Sequence, residues 1–445
     1  MSGQSCGQPP KNSFVFAFGA GVLAGIGIFL LPFGQGTLRS GLTVSKSGLF
    51  AVKSIDSIEL STGGHESLGA GLALRSGRTQ AFHLYRYFTD QAFGSDHQRS
   101  LGYPLFVPSK GRGNIIMRSQ PPLLIDTFGR RIEYLRLSVT DRCDLRCSYC
   151  IPKGFRGFQE PASWLRFEEI ERLISIMASR GLKRIRLTGG EPLVRRDLPN
   201  LAARLAAIPG IDDLSLSTNA TRLHAFAALL KEAGVRRVNV SLDSLRADRV
   251  AAICGRDVLD QILAGLAAAK EAGFAPIKIN MVAMRGVNDD EIDDMVDFCI
   301  EQGFVLRLIE AMPMGATGRN TQYLDLQPIR RRLQKERGLV AGDVPGGGPA
   351  RYMKAPDGRF SIGFITALSE HFCATCNRVR LAADGTMYLC LGQREQMAFG
   401  PLLRRGASDE EIVEALRSAM MLKPERHEFN EKPEKISRIM AATGG

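Results

Sequence analysis

The sequence predicts an α/β chain built on a parallel sheet, and three observations carry that expectation. Short β-rich runs recur between residues 133 and 309, helix-length segments with one apolar face lie between them, and a glycine closes most of those segments. The runs are Glu133–Val139, Arg184–Thr188, Leu214–Thr218, Arg237–Leu242, Lys278–Val282 and Val305–Ile309. Helices are expected at Phe167–Ser179, Leu198–Ala207, Ala225–Ala233, Leu259–Ala272 and Glu291–Gln302. Gly181, Gly234, Gly273 and Gly303 each follow a helix and precede a strand, where a left-handed residue ends the helix. Successive βα units need right-handed crossovers, so the sheet is either an incomplete barrel or an open doubly wound sheet. Both gather function at the C-terminal ends of their strands.

The chain has 445 residues, 44% apolar and 23% charged, which suits one large domain with appendages and excludes a disordered or fibrous protein. A net charge of +12 favours anionic partners: nucleic acid, an acidic membrane surface or a phosphorylated small molecule. Residues 1–116 differ from the rest. Phe14–Leu31 is an uncharged apolar run just long enough to span a membrane, and residues 34–113 are rich in Ser, Gly and Thr without sustained periodicity. They are expected to form a poorly structured extension, with Met117 as an alternative natural start. The barrel is expected over residues 117–312 and a C-terminal region over 313–445, with a loop at Gly346–Gly348 and a strand at Phe360–Thr366.

Six of the nine cysteines fall into two tight groups. Cys6, Cys254 and Cys299 stand alone and are expected to be buried or inert thiols. Cys-x-x-Cys pairs beside βα units point to metal or redox chemistry in a reducing compartment rather than to disulfides. Cys143-Asp-Leu-Arg-Cys147-Ser-Tyr-Cys150 follows the first strand directly. Three thiolates can hold three irons of a [4Fe–4S] cluster and leave the fourth open, whereas structural zinc wants four protein ligands. Cys373, Cys376 and Cys390 repeat the count, and there His371 would complete a zinc site in the alternative reading.

The first motif resembles the defining motif of the radical S-adenosylmethionine superfamily, and Gly189-Gly190-Glu191-Pro192 resembles its GGEP motif, which engages the methionine moiety. Two three-cysteine groups in this order resemble the GTP 3′,8-cyclase family of molybdenum-cofactor biosynthesis. So do LRLSVTDRC (Leu135–Cys143), KRIRLTGGEPLVRRDL (Lys183–Leu198), VNVSLD (Val238–Asp243), FCATCNRVRL (Phe372–Leu381) and the terminal Gly444–Gly445. The resemblance runs from about residue 125 to the end. It implies an incomplete parallel (β/α)6 barrel of the radical SAM type, with a C-terminal extension carrying a second cluster.

The same resemblance implies two [4Fe–4S] clusters, one on Cys143, Cys147 and Cys150 and one on Cys373, Cys376 and Cys390. It implies S-adenosylmethionine contacts at Tyr149, Gly190, Ser241 and Met312, and GTP contacts at Arg136, Arg186, Thr218, Lys278, Arg378 and Arg380. The implied reaction cyclises GTP to (8S)-3′,8-cyclo-7,8-dihydroguanosine 5′-triphosphate, the first step of molybdopterin biosynthesis. A reductant for the cluster, the next enzyme of that pathway and a second copy in a homodimer are the further expected partners, and nucleic acid is not expected. The expected location is cytoplasmic, with membrane association left open by the apolar run. No residue is assigned as a catalytic acid or base. The Gly444–Gly445 tail is expected to thread toward the cavity.

Residue chemistry agrees with this reading, because a triphosphate needs several fixed cations and Arg offers a permanently charged planar fork. One departure from the family pattern is Ser217-Thr218-Asn219-Ala220, where the family commonly has Thr-Thr-Asn-Gly. Two rival readings remain. A two-cluster radical SAM enzyme acting on a peptide would favour more C-terminal cysteines than three. A zinc- or cluster-binding nucleic-acid module would favour aromatics interleaved with basic residues, and the chain has one Trp.

Overall fold

Alternation of apolar and polar residues along the β-rich runs sorts this fold into an apolar exterior and a polar lumen. The structure is a computed structural model that describes residues 124–444 and, ahead of them, only short strand segments such as Val15–Phe18 and Ile28–Leu31, paired antiparallel. The expectations for an unstructured residue 1–116 extension, for a start at Met117 and for Gly445 lie outside the described residues. No helix among the described residues is long and apolar enough to cross a membrane.

From residue 134 the chain runs β1 (Tyr134–Ser138), α1 (Phe167–Ala178), β2 (Arg184–Thr188), α2 (Leu198–Ala206), β3 (Asp213–Thr218), α3 (Leu223–Glu232) and β4 (Arg237–Ser241). Next come α4 (Ala247–Cys254), α5 (Leu259–Glu271), β5 (Lys278–Ala283), α6 (Ile292–Gln302) and β6 (Val305–Glu310). The C-terminal region supplies α7 (Gly315–Arg319), α8 (Leu326–Glu336), β7 (Val340–Gly342), β8 (Arg351–Lys354), β9 (Ser361–Ile365), β10 (Arg378–Leu381), β11 (Thr386–Tyr388) and β12 (Gln396–Ala398). It ends in α9 (Gly400–Arg404), α10 (Asp409–Met421) and α11 (Met440–Thr443).

All twelve strands join one sheet in the order β7-β8-β9-β6-β5-β4-β3-β2-β1-β10-β11-β12. Strands β1 to β6 pair in parallel with their sequence neighbours. The C-terminal region then extends this parallel run at both ends, β9 beside β6 and β10 beside β1, and antiparallel strands flank each side. The edge strands β7 and β12 do not pair with each other, so the barrel stays open. Strands β1 to β6 also follow one another in unbroken sequence order, with no reversal at a switch point, so the incomplete barrel rather than the doubly wound sheet is the architecture adopted.

Leu135, Leu137, Ile185, Leu187, Leu216 and Val240 are fully buried against the helices, with Leu173, Met177, Leu201 and Leu205 among the facing side chains. Burying each such side chain contributes about 1.5–3 kcal/mol. The alternate residues face inward, and strand register sets them side by side: Arg380 opposite Arg136, and Arg136 opposite Arg186. Gly181, Gly234, Gly273 and Gly303 all have positive φ, as their position after each helix predicts. Helix α4 is absent from the sequence reading. Its eight residues sit close after β4 without a pattern of their own, and packing of Val250 and Ile253 on the core holds it in place.

Candidate active site

The open mouth of the barrel holds a cavity of about 290 Å³ lined by both cysteine groups. The first group sits in the loop after β1. Its backbone is pinned from outside, Arg146 N–H donating to Cys254 O (2.9 Å) and Ser148 N–H to Ile253 O (2.9 Å), so α4 serves as its buttress. Cys150 N–H donates to Cys147 O (2.9 Å), which turns the loop back on itself. Burial pushes the Cys143 thiol well up and the Cys150 thiol up to about 12. Cys147 is raised by hydrogen bonding to Cys254 and by burial. Thiols in this setting ionise only when a cation replaces the proton, as cluster iron would.

Gly190 brings the GGEP segment against this loop. Its N–H donates to Thr140 O (2.8 Å), Glu191 N–H donates to Arg142 O (2.8 Å), and a Cβ at Gly190 would lie 2.3 Å from Arg142 O. Glu191 accepts from Thr218 Oγ1 (2.7 Å), Asn219 N (2.6 Å) and Leu193 N (3.0 Å). Burial outweighs those donors and lifts its carboxyl to about 7. Across the mouth, Tyr149 donates its hydroxyl to Asp243 (2.7 Å), whose carboxyl burial raises to about 6. Ala220 has φ 62, the left-handed conformation that the family's glycine adopts without strain, and Thr218 Oγ1 accepts from its N–H (3.0 Å).

The second group is assembled from two places, Cys373 and Cys376 ahead of β10 and Cys390 after β11. Arg130, from a turn before β1, fastens it. Its guanidinium pairs with Asp126 (2.6 Å) and donates to the carbonyls of Cys373 (2.9 Å), Pro424 (2.6 Å) and Glu425 (2.6 Å). Burial pushes Cys376 up, but Arg378 and Lys423 outweigh it and hold that thiol below its ordinary value. Burial raises Cys373 and Cys390. Lys423 Nζ, itself buried, lies 3.8 Å from Cys376 Sγ.

Between the two cysteine groups lies the row of arginines. Arg136 is held well below its ordinary pKa by burial and by Arg380 and Arg186, and Arg380 is pushed to about 9 by burial and by Arg378. Like charges set opposite one another across strands repel, so the row favours a polyanion. The tail reaches the same place: Arg380 donates to Thr443 O (3.3 Å) and to Gly444 O. Gly444 has φ 78, and a Cβ there would stand 2.4 Å from Thr188 Cγ2.

Every site residue expected from sequence lines this cavity except Lys278. Its ammonium is held below the lumen by Pro345 O (2.6 Å) and Tyr352 Oη (3.1 Å), and burial with Arg307 and Arg237 nearby brings its pKa down to about 6. Arg307, on β6, lines the cavity instead and escapes the sequence reading, although it occupies the same polar phase of a barrel strand as Arg136 and Arg186. Its NH2 donates to Asn239 (2.7 Å), and burial lowers its pKa to about 10. Asp243, Lys423 and Arg130 also escape it, the last two because they reach the site from distant segments.

Residues 137–299 match the radical SAM superfamily, and residues 304–429 match the Molybdenum Cofactor Synthesis C family. The chain is 44% identical over 327 residues to a GTP 3′,8-cyclase of Ectopseudomonas mendocina, covering 72% of this chain and 98% of that protein. It is 45% identical over 330 residues to a GTP 3′,8-cyclase of Erythrobacter litoralis, again covering 72% and 98%. Among solved structures, Streptococcus suis SuiB bound to S-adenosylmethionine is similar over 70% of this chain and 77% of that one, with 16% identity and a TM-score of 0.47.

Proposed function

The chain belongs to the GTP 3′,8-cyclase family of radical S-adenosylmethionine enzymes, and from that premise we propose that it cyclises GTP between its 3′ and C8 positions at the start of molybdopterin biosynthesis. The observation that carries this reading is a row of buried and half-buried arginines lying between two cysteine triads in one cavity. A peptide substrate offers no comparable density of negative charge, and a nucleic-acid module has no use for so enclosed a cation row.

Both triads fit a cluster with one open iron, since each presents three thiols to the cavity and, among the described residues, no fourth cysteine lines it; Cys254, which hydrogen-bonds Cys147, stays behind the wall. Cys143, Cys147 and Cys150 would hold a [4Fe–4S] cluster, which when bound would supply the electron for reductive cleavage of S-adenosylmethionine and so the radical chemistry at the ribose 3′ position. Glu191 and the backbone at Gly190 bind the methionine end, while Tyr149, Ser241 and Met312 border the rest of the nucleoside. Arg136, Arg186, Arg378 and Arg380 hold the triphosphate, with Arg307 beside them, and the bound polyanion draws a proton onto Lys278 beneath, whose pKa is about 6 without it. Thr218 orients Glu191. Fixing GTP between the two triads brings the 3′-carbon near C8 and excludes water from both. A low-potential reductant and an enzyme that rearranges the cyclised nucleotide are the partners this chemistry requires.

Two predictions arise here. Glu191 must be ionised to hold the methionine ammonium, and its carboxyl titrates near 7 in the free protein, so binding releases a proton below that pH. The affinity for S-adenosylmethionine is expected to rise about tenfold per pH unit up to about 7 and then level off, read by calorimetry in buffers of different ionisation enthalpy. Glu191→Gln should abolish that slope. Arg307→Met is expected to weaken GTP binding about 10- to 100-fold, the loss of one charge-assisted hydrogen bond worth about 1.5–3 kcal/mol, with S-adenosylmethionine binding unchanged.

The experiment for the whole reading is anaerobic reconstitution with iron and sulfide, then dithionite, S-adenosylmethionine and GTP, with products read by mass spectrometry. Formation of 5′-deoxyadenosine and a GTP isomer supports it. Formation of 5′-deoxyadenosine while GTP stays unchanged would leave the first triad's role standing and remove the substrate.

A further inference from the structure

His371 and His427 are not needed for either cysteine triad, yet they meet beside the second. His371 Nδ1 lies 3.3 Å from His427 Nε2, and the ligand atoms of both rings and of Cys373 all fall within 4.8 Å of one another. Among the described residues this is the one group of three His, Cys, Asp or Glu side chains drawn together so closely. Tetrahedral Zn–N bonds of about 2.0–2.1 Å set two ligand nitrogens about 3.3 Å apart, which is the separation found. Thiolates on different irons of a cubane stand farther apart than two ligands of a single ion, so this spacing suits one metal ion and not the corners of a cluster.

The rings are also held for the task. His427 is 4% exposed and packs on Phe429 with ring centroids 4.7 Å apart, and Phe429 N–H donating to its Nδ1 (3.5 Å), together with the nearby Ala367 backbone, fixes the orientation of the ring with Nε2 toward His371. His371 is exposed and closes the group from the solvent side, which leaves a path for an incoming ion. Two imidazoles and one thiolate are a donor set for zinc and its borderline-soft neighbours, with a fourth position left for water.

We propose that His371, Cys373 and His427 bind a single zinc(II)-class cation in protein that lacks the second iron–sulfur cluster, and that this ion and the cluster exclude one another because both claim Cys373. Zinc binding rests on the donor geometry alone; the exclusion rests in addition on the cluster reading of the second triad. A zinc-loaded chain keeps its first cluster site intact but cannot complete the second until the ion leaves.

The test uses the full chain, stripped of metal under anaerobic conditions and titrated with cobalt(II), followed by displacement with zinc(II). The wild type should show tetrahedral cobalt bands with a thiolate charge-transfer band. His371→Ala, at an exposed position whose loss spares the fold, and His427→Ala should each weaken that site at least about 100-fold. Iron and sulfide are then added with and without one equivalent of zinc. Zinc should cost the wild type one cluster, by iron count and by electron paramagnetic resonance, and cost His371→Ala none.

Unchanged cobalt spectra and zinc affinity in both variants would overturn the site, the histidines then merely bonding each other. Histidine-dependent zinc that leaves the cluster count unaltered would overturn the exclusion. One cluster per chain in the zinc-free wild type would instead count against the cluster reading of the second triad.

Discussion

Cys147→Ala protein, reconstituted and reduced, is expected to form 5′-deoxyadenosine at least about a thousandfold more slowly than the wild type, because the residue is one of the three thiols that the first motif presents to the cavity. The loop should survive the change. Its turn is built from backbone, Cys150 and Ile151 donating to the Cys147 carbonyl at 2.9 and 3.1 Å, and α4 pins it from behind. What is lost is the thiol facing the cavity. Iron content should fall by about half, with the spectrum of the second cluster retained, since Cys373 is fastened by Arg130 and the second triad is built from segments around β10 and β11 rather than from this loop. Near-normal 5′-deoxyadenosine formation from this variant would contradict the assignment of the first triad.

Gly190→Ala should damage the site severely although it removes no functional group. The added Cβ would stand 2.3 Å from Arg142 O and 2.7 Å from Asp141 O, both backbone atoms that no rotamer change can move. Two further backbone bonds tie the same segments together, so relief requires the Thr140–Cys143 loop to shift as a unit. Overpacking of this kind costs about 1–3 kcal/mol. The shift carries Cys143 and the Glu191 carboxylate away from each other. Thermal melting should show the stability loss, and calorimetry should show S-adenosylmethionine affinity falling by at least about tenfold, because the segment that grips the methionine end has moved.

Much of the barrel is legible in the sequence because each βα unit is locally encoded: alternation marks the strand, an apolar stripe marks the helix, and glycine ends it. Strands β1 to β6 accordingly begin and end within one residue or so of the positions that the β-rich runs suggest. The cysteine triads and the arginines on β1, β2 and β10 are legible for the same reason, since motif and strand lie together. Arg307 was within reach of that logic, sharing the polar phase of β6, but no neighbouring motif draws attention to it.

Lys278 shows the limit of reading by position. Its place at the start of β5 is as expected, yet the loop at Gly346–Gly348 closes beneath the barrel, and Pro345 O captures the ammonium away from the lumen. That contact spans 67 residues and leaves no local trace. Arg130, Lys423 and His427 are hidden likewise, each brought to the second triad by tertiary packing from a segment whose own pattern is unremarked. Ala220 is the reverse case: the sequence marks a missing glycine, and the backbone keeps the left-handed turn regardless, at φ 62, because Thr218 and the buried core over-determine it.

The most direct measurement of the central claim is hydrogen transfer from GTP carrying deuterium at the ribose 3′ position. Incubated anaerobically with the reduced, reconstituted wild-type protein and S-adenosylmethionine, it should yield 5′-deoxyadenosine containing one deuterium, together with a cyclised isomer that has lost it. Unlabelled 5′-deoxyadenosine with GTP recovered intact would mean that the cavity between the two triads holds some other substrate.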